Sequence, residues 1–240
     1  SFDDYLDRVA IPQARELLTN YGPVAVFWWD TPVGMNRARA EKLAALLALQ
    51  PGIITNNRLN NRDEGAFLGD TDTPEQTIPP TGFKGRDFEV CMTMNDTWGY
   101  KQHDQNWKPT SDLIRKLVDV ASKGGNFLLN VGPDALGRIP QPSVERLQAM
   151  GRWTRANGEA IYGSAASPFA KLPWGRCTRK PGTLYLHVFD WPKDGKLAVA
   201  VANEALGCRL LADAGRKFKV RKEAAGGLVV ELTGQPADPA

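Results

Sequence analysis

Two carboxylates and a set of amides, one guanidinium and several indoles are what this chain offers for chemistry. Asp30 follows Trp28 and Trp29 at the end of the apolar run Val24 to Trp29, and Glu75 stands in Thr73-Pro74-Glu75-Gln76. Asn56, Asn57 and Arg58 close a second apolar run, and Asn95 and Trp98 follow a third. A pair of acids converging on one pocket is the machinery of glycoside hydrolysis. One attacks the anomeric carbon, and the other protonates the leaving oxygen and then deprotonates water. The carboxyl groups would lie ~5–5.5 Å apart for a retaining reaction and roughly 6.5–9.5 Å apart for an inverting one. An arginine such as Arg58 can hold a sugar hydroxyl and lower the pKa of a neighbouring carboxylate, and tryptophans can cover the apolar face of a sugar. Each residue also has a plainer reading. Asp30 or Thr31 can cap the helix that follows. Arg58 can be a structural ion pair, and Glu75 can open a helix after Pro74. Trp98 can be core, and Glu89 can be a buried structural acid.

The elements that must position these groups alternate between strand and helix. Val24 to Trp29, bounded by Pro23 and Pro32, predicts a strand buried on both faces. Arg37 to Leu49 carries a helical stripe of leucines and alanines and stops at Pro51-Gly52. Ile53 to Leu59 predicts a second strand, so this is strand, helix, strand at parallel-crossover spacing. A long polar loop, 60 to 86, precedes a third strand, Phe88 to Met94. Ser111 to Ser122 predicts a helix with Ser111 as N-cap and Gly124-Gly125 as its stop. Asn126 to Val131 predicts a fourth strand, and Ser143 to Asn157 another helix. Before the first strand, Tyr5 to Asn20 has helical periodicity, with Pro12 near the first turn of a helix starting there. In parallel α/β sheets and barrels, ligands bind beyond the carboxyl ends of the strands, where Asp30, Asn56 to Arg58, Asn95 and Trp98 all stand.

Past residue 168 the helical stripe disappears. Thr183 to Asp190, Lys196 to Ala202, Phe218 to Arg221 and Leu228 to Leu232 predict short strands, with Asp194-Gly195 and Gly226-Gly227 as hairpin turns. The division expected is a catalytic α/β portion over 1–168 and a small antiparallel β-domain over 169–240.

Composition excludes several classes. With 42% hydrophobic and 24% charged residues the 240-residue chain is ordinary for a globular protein. A net charge of +3 is too weak to argue for nucleic acid. The basic residues from Arg216 to Lys222 alternate with Phe218 and Val220, as on the wet face of a strand. No apolar run reaches ~18 residues, which argues against a membrane-spanning helix. Cys91, Cys177 and Cys208 show no metal spacing, and His103 and His187 form no paired motif, so no metal site is expected.

Five stretches in this order, YGPVAVFWWD, GDTDTPEQTIPP, FEVCMTMNDTWGY, ASKGGNFLLNVGPDALGRIP and GEAIYGSAASPF, resemble the α-L-fucosidases of glycoside hydrolase family 29. The resemblance covers about Phe2 to Phe169, and LYLHVFDWPKDG is similar to that family's appended β-sandwich. It implies roughly the second half of a (β/α)₈-like barrel followed by a small antiparallel β-sandwich. The implied reaction is retaining exo-hydrolysis of terminal α-L-fucose through a covalent fucosyl-enzyme, with transfer to a sugar acceptor as a variant. Asp30 matches the family nucleophile, and Glu75 matches the acid/base of many bacterial members. Glu89 and Asp72 stay open as alternatives for that second role. Trp28, Arg58 and Trp98 match positions lining the fucose pocket. The resemblance implies neither metal nor cofactor. The strands that in this family precede the nucleophile, with their fucose-binding histidines, have no counterpart here. The chain begins at Ser1 without Met, and is expected to be a piece of a longer protein, one of two pieces, or a chain that self-associates to cover the gap. A catalytically incomplete carbohydrate-binding fragment is the rival reading. The partners implied are a fucosylated glycan and either a second copy or the absent N-terminal portion, with neither nucleic acid nor membrane.

Overall fold

A computed structural model describes residues 1–30, 32–60, 67–223, 226–236 and 238. The chain forms two compact units, one of Ser1–Pro74 with Phe83–Glu89 and one of Glu75–Gly82 with Val90–Ala240. Both mix helices and sheets, and the fold class is α/β.

The first unit opens with helix α1 (Phe2–Tyr5), a π turn over Leu6–Ala10 and helix α2 (Ile11–Asn20). Helix α2 starts one residue before Pro12, which stands in its first turn as expected, but the helical path leading into it is continuous from Phe2. The Ile11 N–H reaches back to the Leu6 carbonyl, the wide step of a π turn. That step accommodates Pro12, which has no N–H to give and a ring that would crowd the preceding turn.

Strand β1 (Val26–Phe27) pairs in parallel with β2 (Ile54–Thr55) across helix α3 (Arg37–Ala44) and the 3₁₀ turn Ala45–Leu49. The expected crossover is present, but β1 is not buried on both faces. Val26 and Ile54, register partners, are each about half exposed. Leu17, Tyr21, Val24 and Val26 line an apolar groove with Phe27 and Trp28. The core lies on the other side, where Leu6, Leu18, Leu43, Leu46 and Leu59 pack with Phe27 and Trp29. The cap of α3 is Asn36, whose side chain accepts from the Arg39 N–H. Asp30 is therefore not that cap, and Thr31 lies outside the described residues. Residues 60 to 86 are not wholly irregular either. Strand β3 (Thr71–Asp72) lies within them and pairs in parallel with the start of β4 (Asp87–Thr93).

In the second unit β4 neighbours β5 (Asn126–Asn130), joined through helix α4 (Thr110–Ser122), and helix α5 (Gln141–Asn157) follows. Leu113, Ile114 and Val118 of α4 pack with Met94 and Met150. The N-cap of α4 is Pro109 and no side chain caps it, so Ser111 falls inside the first turn instead. An extended proline backbone at that position ends the preceding loop without a capping hydroxyl.

The last third is all strand. Strands β6 (Gly175–Lys180) and β7 (Thr183–Val188) form an antiparallel hairpin. Strands β8 (Lys196–Val199), β9 (Cys208–Arg209), β10 (Lys217–Lys222) and β11 (Leu228–Glu231) form an antiparallel sheet in the order β8-β11-β10-β9. Gly226-Gly227 stands between β10 and β11, which pair. Asp194-Gly195 does not close a hairpin, because β7 and β8 pair with other strands. Strands β6 and β9 escape a periodicity reading, since their polar residues outnumber a recognisable apolar alternation. Phe218 is buried while Lys217, Lys219 and Arg221 face water, as the alternation predicts.

His187 on β7 gives a pH-dependent contribution. The Thr178 hydroxyl donates to the Ala160 carbonyl at 2.6 Å and stands 3.1 Å from His187 Nε2. A hydroxyl has one proton, so Nε2 is the donor to it. Burial pushes the His187 pKa down from 6.5 to about 4. Above the unfolded value neither state holds the proton. As pH falls from 6.5 towards 4 the unfolded chain takes it up and the folded chain does not, so stability is lost, levelling off below 4. The loss amounts to up to about 3 kcal/mol. Thermal unfolding of wild type and His187→Asn across that range should show the wild type losing more, with the difference vanishing above pH 7.

Candidate active site

In the first unit, Asp30 follows directly on the two tryptophans that continue β1. Arg58 lies beyond the end of β2, and its Nη1 donates to Asp30 Oδ1 at 3.1 Å. The guanidinium is 16% exposed and the carboxylate 59%. The cation is thus held in place while the carboxylate remains open to a substrate. Arg58 Cζ sits 4.7 Å from the centroid of the Trp28 ring, a cation–π contact that fixes the fork on one side.

The rest of the guanidinium is anchored away from Asp30. Arg58 Nε donates to Thr73 Oγ1 at 2.8 Å and Nη2 to the Thr73 carbonyl at 2.9 Å. Thr73 in turn donates its hydroxyl and its N–H to Asn57 Oδ1, at 2.9 and 3.1 Å. Asn57 Nδ2 donates to Asp72 Oδ1 at 2.8 Å, and Arg86 Nε donates to Asp72 Oδ2 at 2.7 Å. A planar fork satisfied at several nitrogens has one orientation, so Arg58 presents its charge to Asp30 from a fixed direction. Asp72 is buried with both oxygens engaged.

Backbone approach is just as tight behind β2. Gly69 has φ +55, and a Cβ there would sit 2.4 Å from the Asn56 carbonyl oxygen and 2.7 Å from that of Thr55. Both contacts are with backbone that cannot swing aside. Gly69→Ala should cost about 2–4 kcal/mol, from left-handed strain plus overlap. Urea unfolding checks this, with Gly85→Ala as the comparison. Gly85 has φ +71 but open space around it, so it carries the strain without the clash.

Glu75 belongs to the second unit. It starts no helix after Pro74. Its backbone bridges Cys91 in parallel, the Gln76 N–H donates to the Cys91 carbonyl at 2.9 Å, and the side chain is exposed. Gln76 takes φ +57, unusual outside glycine. Its carboxamide answers Thr93 on both sides. Nε2 donates to Thr93 Oγ1 at 3.0 Å, and Oε1 accepts from the Thr93 N–H at 3.2 Å. The Thr93 hydroxyl passes its own proton to the Asn95 carbonyl. Glu75 is thereby held on a strand-like segment instead of a free loop. Glu89 lies in β4, half-buried, next to the Asp72–Phe88 register pair.

Trp98, also in the second unit, is 38% exposed, so it is not core. Its carbonyl accepts from Asn130 Nδ2 at 2.7 Å, and a Cβ on Gly132 would come within 3.0 Å of the 98–100 backbone. The loop carrying it is organised by Asp104. Oδ2 accepts from the Asp96 N–H and the Thr97 hydroxyl, and Oδ1 from the Asn106 N–H. Burial alone would raise that carboxyl, but these hydrogen bonds outweigh it and hold it below the usual carboxylate range. Lys108 Nζ donates to the Asn95 carbonyl at 2.9 Å, and burial pushes its ammonium pKa down.

Of the residues expected from sequence, Asp30, Arg58 and Trp28 stand together in one unit, with Asp72 at the far end of the same network. Asn57, expected only as a polar group beyond the second strand, is a member too, and Thr73 and Arg86 are the members that sequence reasoning missed. Thr73 sits beside Glu75 in TPEQ and gave no signal of its own. Among the described residues no cluster of histidine, cysteine, aspartate or glutamate has the arrangement of a metal site.

The family model for alpha-L-fucosidase matches residues 1–159. An alpha-L-fucosidase of Dictyostelium discoideum is 30% identical over 230 residues, which cover 89% of this chain and 49% of that protein. The plasma alpha-L-fucosidase of Rattus norvegicus is 30% identical over 244 residues, covering 92% and 51%. Among solved structures, alpha-L-fucosidase isoenzyme 1 from Paenibacillus thiaminolyticus superposes with a TM-score of 0.88 at 37% identity, covering all of this chain and 61% of that one. A family 29 fucosidase of Bacteroides thetaiotaomicron, trapped as a covalent intermediate with 2-fluoro-fucosyl fluoride in a glutamate-to-glutamine mutant, superposes at 0.85 with 25% identity, covering 98% and 59%. The chain spans about half the length of the curated relatives it matches. On a family-model match spanning well over half of its length and the agreement along the whole of it, the chain belongs to the alpha-L-fucosidase family.

Proposed function

We propose that this chain carries the nucleophile half of a retaining exo-α-L-fucosidase, which releases terminal α-L-fucose from glycans or glycoconjugates. The observation that carries the reading is the open Asp30 carboxylate faced by a guanidinium that is itself immobilised by Trp28 and Thr73. Asp30 attacks the anomeric carbon of an α-fucoside and forms a β-fucosyl-enzyme ester. The acid/base protonates the leaving oxygen, then takes a proton from the water that releases fucose. A fixed neighbouring cation, donating from Arg58 Nη1 at 3.1 Å, holds the Asp30 carboxylate in one place for attack. Glu75 is the proposed acid/base. Asp72 suits a structural role better, because its carboxylate is already shared between Arg86 and Asn57. Glu89 is the competing choice. Trp28, Arg58 and Trp98 contact the sugar, and a sugar hydroxyl can replace water at the second step to give transfer.

The architecture proposed with this function is an incomplete (β/α)₈-like barrel over 1–168 and a β-sandwich over 169–240. The exposed apolar edge of Val26, Ile54, Leu17 and Tyr21 supports a covering partner, either the N-terminal barrel strands or a second copy. The chain's share of its relatives' length also supports the rival reading of an incomplete carbohydrate-binding piece. Hydrolysis of p-nitrophenyl α-L-fucoside across size-exclusion fractions, with mass from light scattering, separates the two. Turnover co-eluting with protein bears out the enzyme, in the 240-residue chain or only in a longer protein containing it. Fucose binding without turnover in both would leave the binding piece.

A further inference from the structure

Asn56 is buried completely, yet it is polar and sits where an apolar core would be cheaper. Its side chain lies against the peptide of Trp29, the residue before Asp30. The Trp29 N–H donates to Asn56 Oδ1 at 2.8 Å, and Asn56 Nδ2 donates to the Trp29 carbonyl at 2.9 Å. One carboxamide thus replaces the ladder that β1 and β2 stop making after Phe27 and Thr55. It holds both polar groups of Trp29 by side chain instead of backbone.

Asn56 is itself fixed from behind. Its backbone bridges Thr71 in parallel, and Gly69 approaches its carbonyl so closely that no Cβ fits between them. On the Asp30 side, the Trp29 ring stacks edge-on against Phe27 with centroids 4.6 Å apart. With Trp29 clamped at N–H, carbonyl and ring, the direction in which the next residue leaves the chain is set. A side-chain amide is worth burying here because a backbone ladder would have to carry β1 straight on, whereas Asp30 must turn out towards solvent.

The geometry points to Asn56 as a positioning residue for Asp30, holding the carboxylate in line for attack without touching the sugar. This rests on Asp30 being the nucleophile. Small displacements of an attacking atom are costly because the reaction depends on near-attack geometry.

The test uses Asn56→Ala, Asn56→Asp and Asp30→Gly in the full-length protein, assayed below each variant's unfolding temperature with folded fraction checked by circular dichroism. Asn56→Ala should lower kcat on p-nitrophenyl α-L-fucoside by about 30- to 300-fold while KM changes less than about threefold. Asn56→Asp keeps the acceptor for the Trp29 N–H. It regains a donor for the Trp29 carbonyl only when protonated. Its kcat should therefore climb towards wild type as pH falls, a limb absent from Asn56→Ala. Loss of folding alone would not produce that split or that limb. If folded Asn56→Ala keeps kcat within threefold of wild type, the positioning role is overturned. Should Asn56→Ala fail to fold, Asn56→Asp decides, and a pH profile parallel to wild type overturns it. Asp30→Gly separates the two claims. An active Asp30→Gly refutes the nucleophile and the positioning role with it, while an inactive one beside a normal Asn56→Ala refutes only the positioning role.

Discussion

Asp30→Gly should abolish hydrolysis of aryl α-L-fucosides, lowering kcat by on the order of 10⁴-fold while the fucoside still binds. The effect is large because no other group can replace a covalent nucleophile whose geometry is set by Trp29 behind it and Arg58 beside it. The variant also leaves a space where the carboxylate stood. Azide entering that space attacks the anomeric carbon from the same face, in one displacement, and the product is β-fucosyl azide. Kinetics with and without azide, and the configuration of the product by NMR, check the expectation. Full activity of the folded glycine variant would remove Asp30 from the mechanism.

The second large effect belongs to Glu75 and depends on the leaving group. Glu75→Ala should lose about 10²–10⁴-fold on a fucosyl disaccharide, whose leaving alcohol needs a proton, and far less on a dinitrophenyl fucoside, which does not. With the good leaving group the fucosyl-enzyme forms but waits for a base. Azide needs no base and should accelerate release, this time giving α-fucosyl azide because two displacements have occurred. The opposite configurations expected for the Asp30 and Glu75 variants distinguish the two roles without a structure of a complex. If Glu89→Ala gives the leaving-group dependence and the α product while Glu75→Ala does not, the acid/base is Glu89, on β4. Asp72→Ala should instead lower stability, since it removes the acceptor of both Arg86 Nε and Asn57 Nδ2.

How much of this was legible beforehand differs from residue to residue. The crossover from Phe27 to Thr55 could be read because a leucine stripe between two β-branched runs has few alternative folds. The width of β1 could not, because an apolar run looks the same whether one face is covered or both. Val26 and Ile54 are exposed despite it. Asp30 stood out as an acid ending a tryptophan-rich run. Asn56 did not stand out from Asn57 and Arg58, since composition cannot separate an amide that clamps a backbone from one that meets solvent. The Thr73–Asn57–Asp72 chain is equally hidden. It joins residues fifteen or so apart through side-chain hydrogen bonds, and no period marks such a network. The π turn before Pro12 and the cap at Asn36 show the same limit at smaller scale, where local geometry chose among residues of similar propensity.

The nucleophile can be trapped directly. A 2-deoxy-2-fluoro-fucosyl fluoride slows both steps through the electronegative fluorine at C2, and its fluoride leaving group favours the first, so a fucosyl-enzyme accumulates. Proteolysis and mass spectrometry of the labelled full-length protein should find one adduct, an ester on Asp30 in the peptide containing Trp28 and Trp29. An adduct on Asp72, Glu75 or Glu89, or turnover of the inactivator without any adduct, would contradict the assignment of Asp30 and the mechanism built on it.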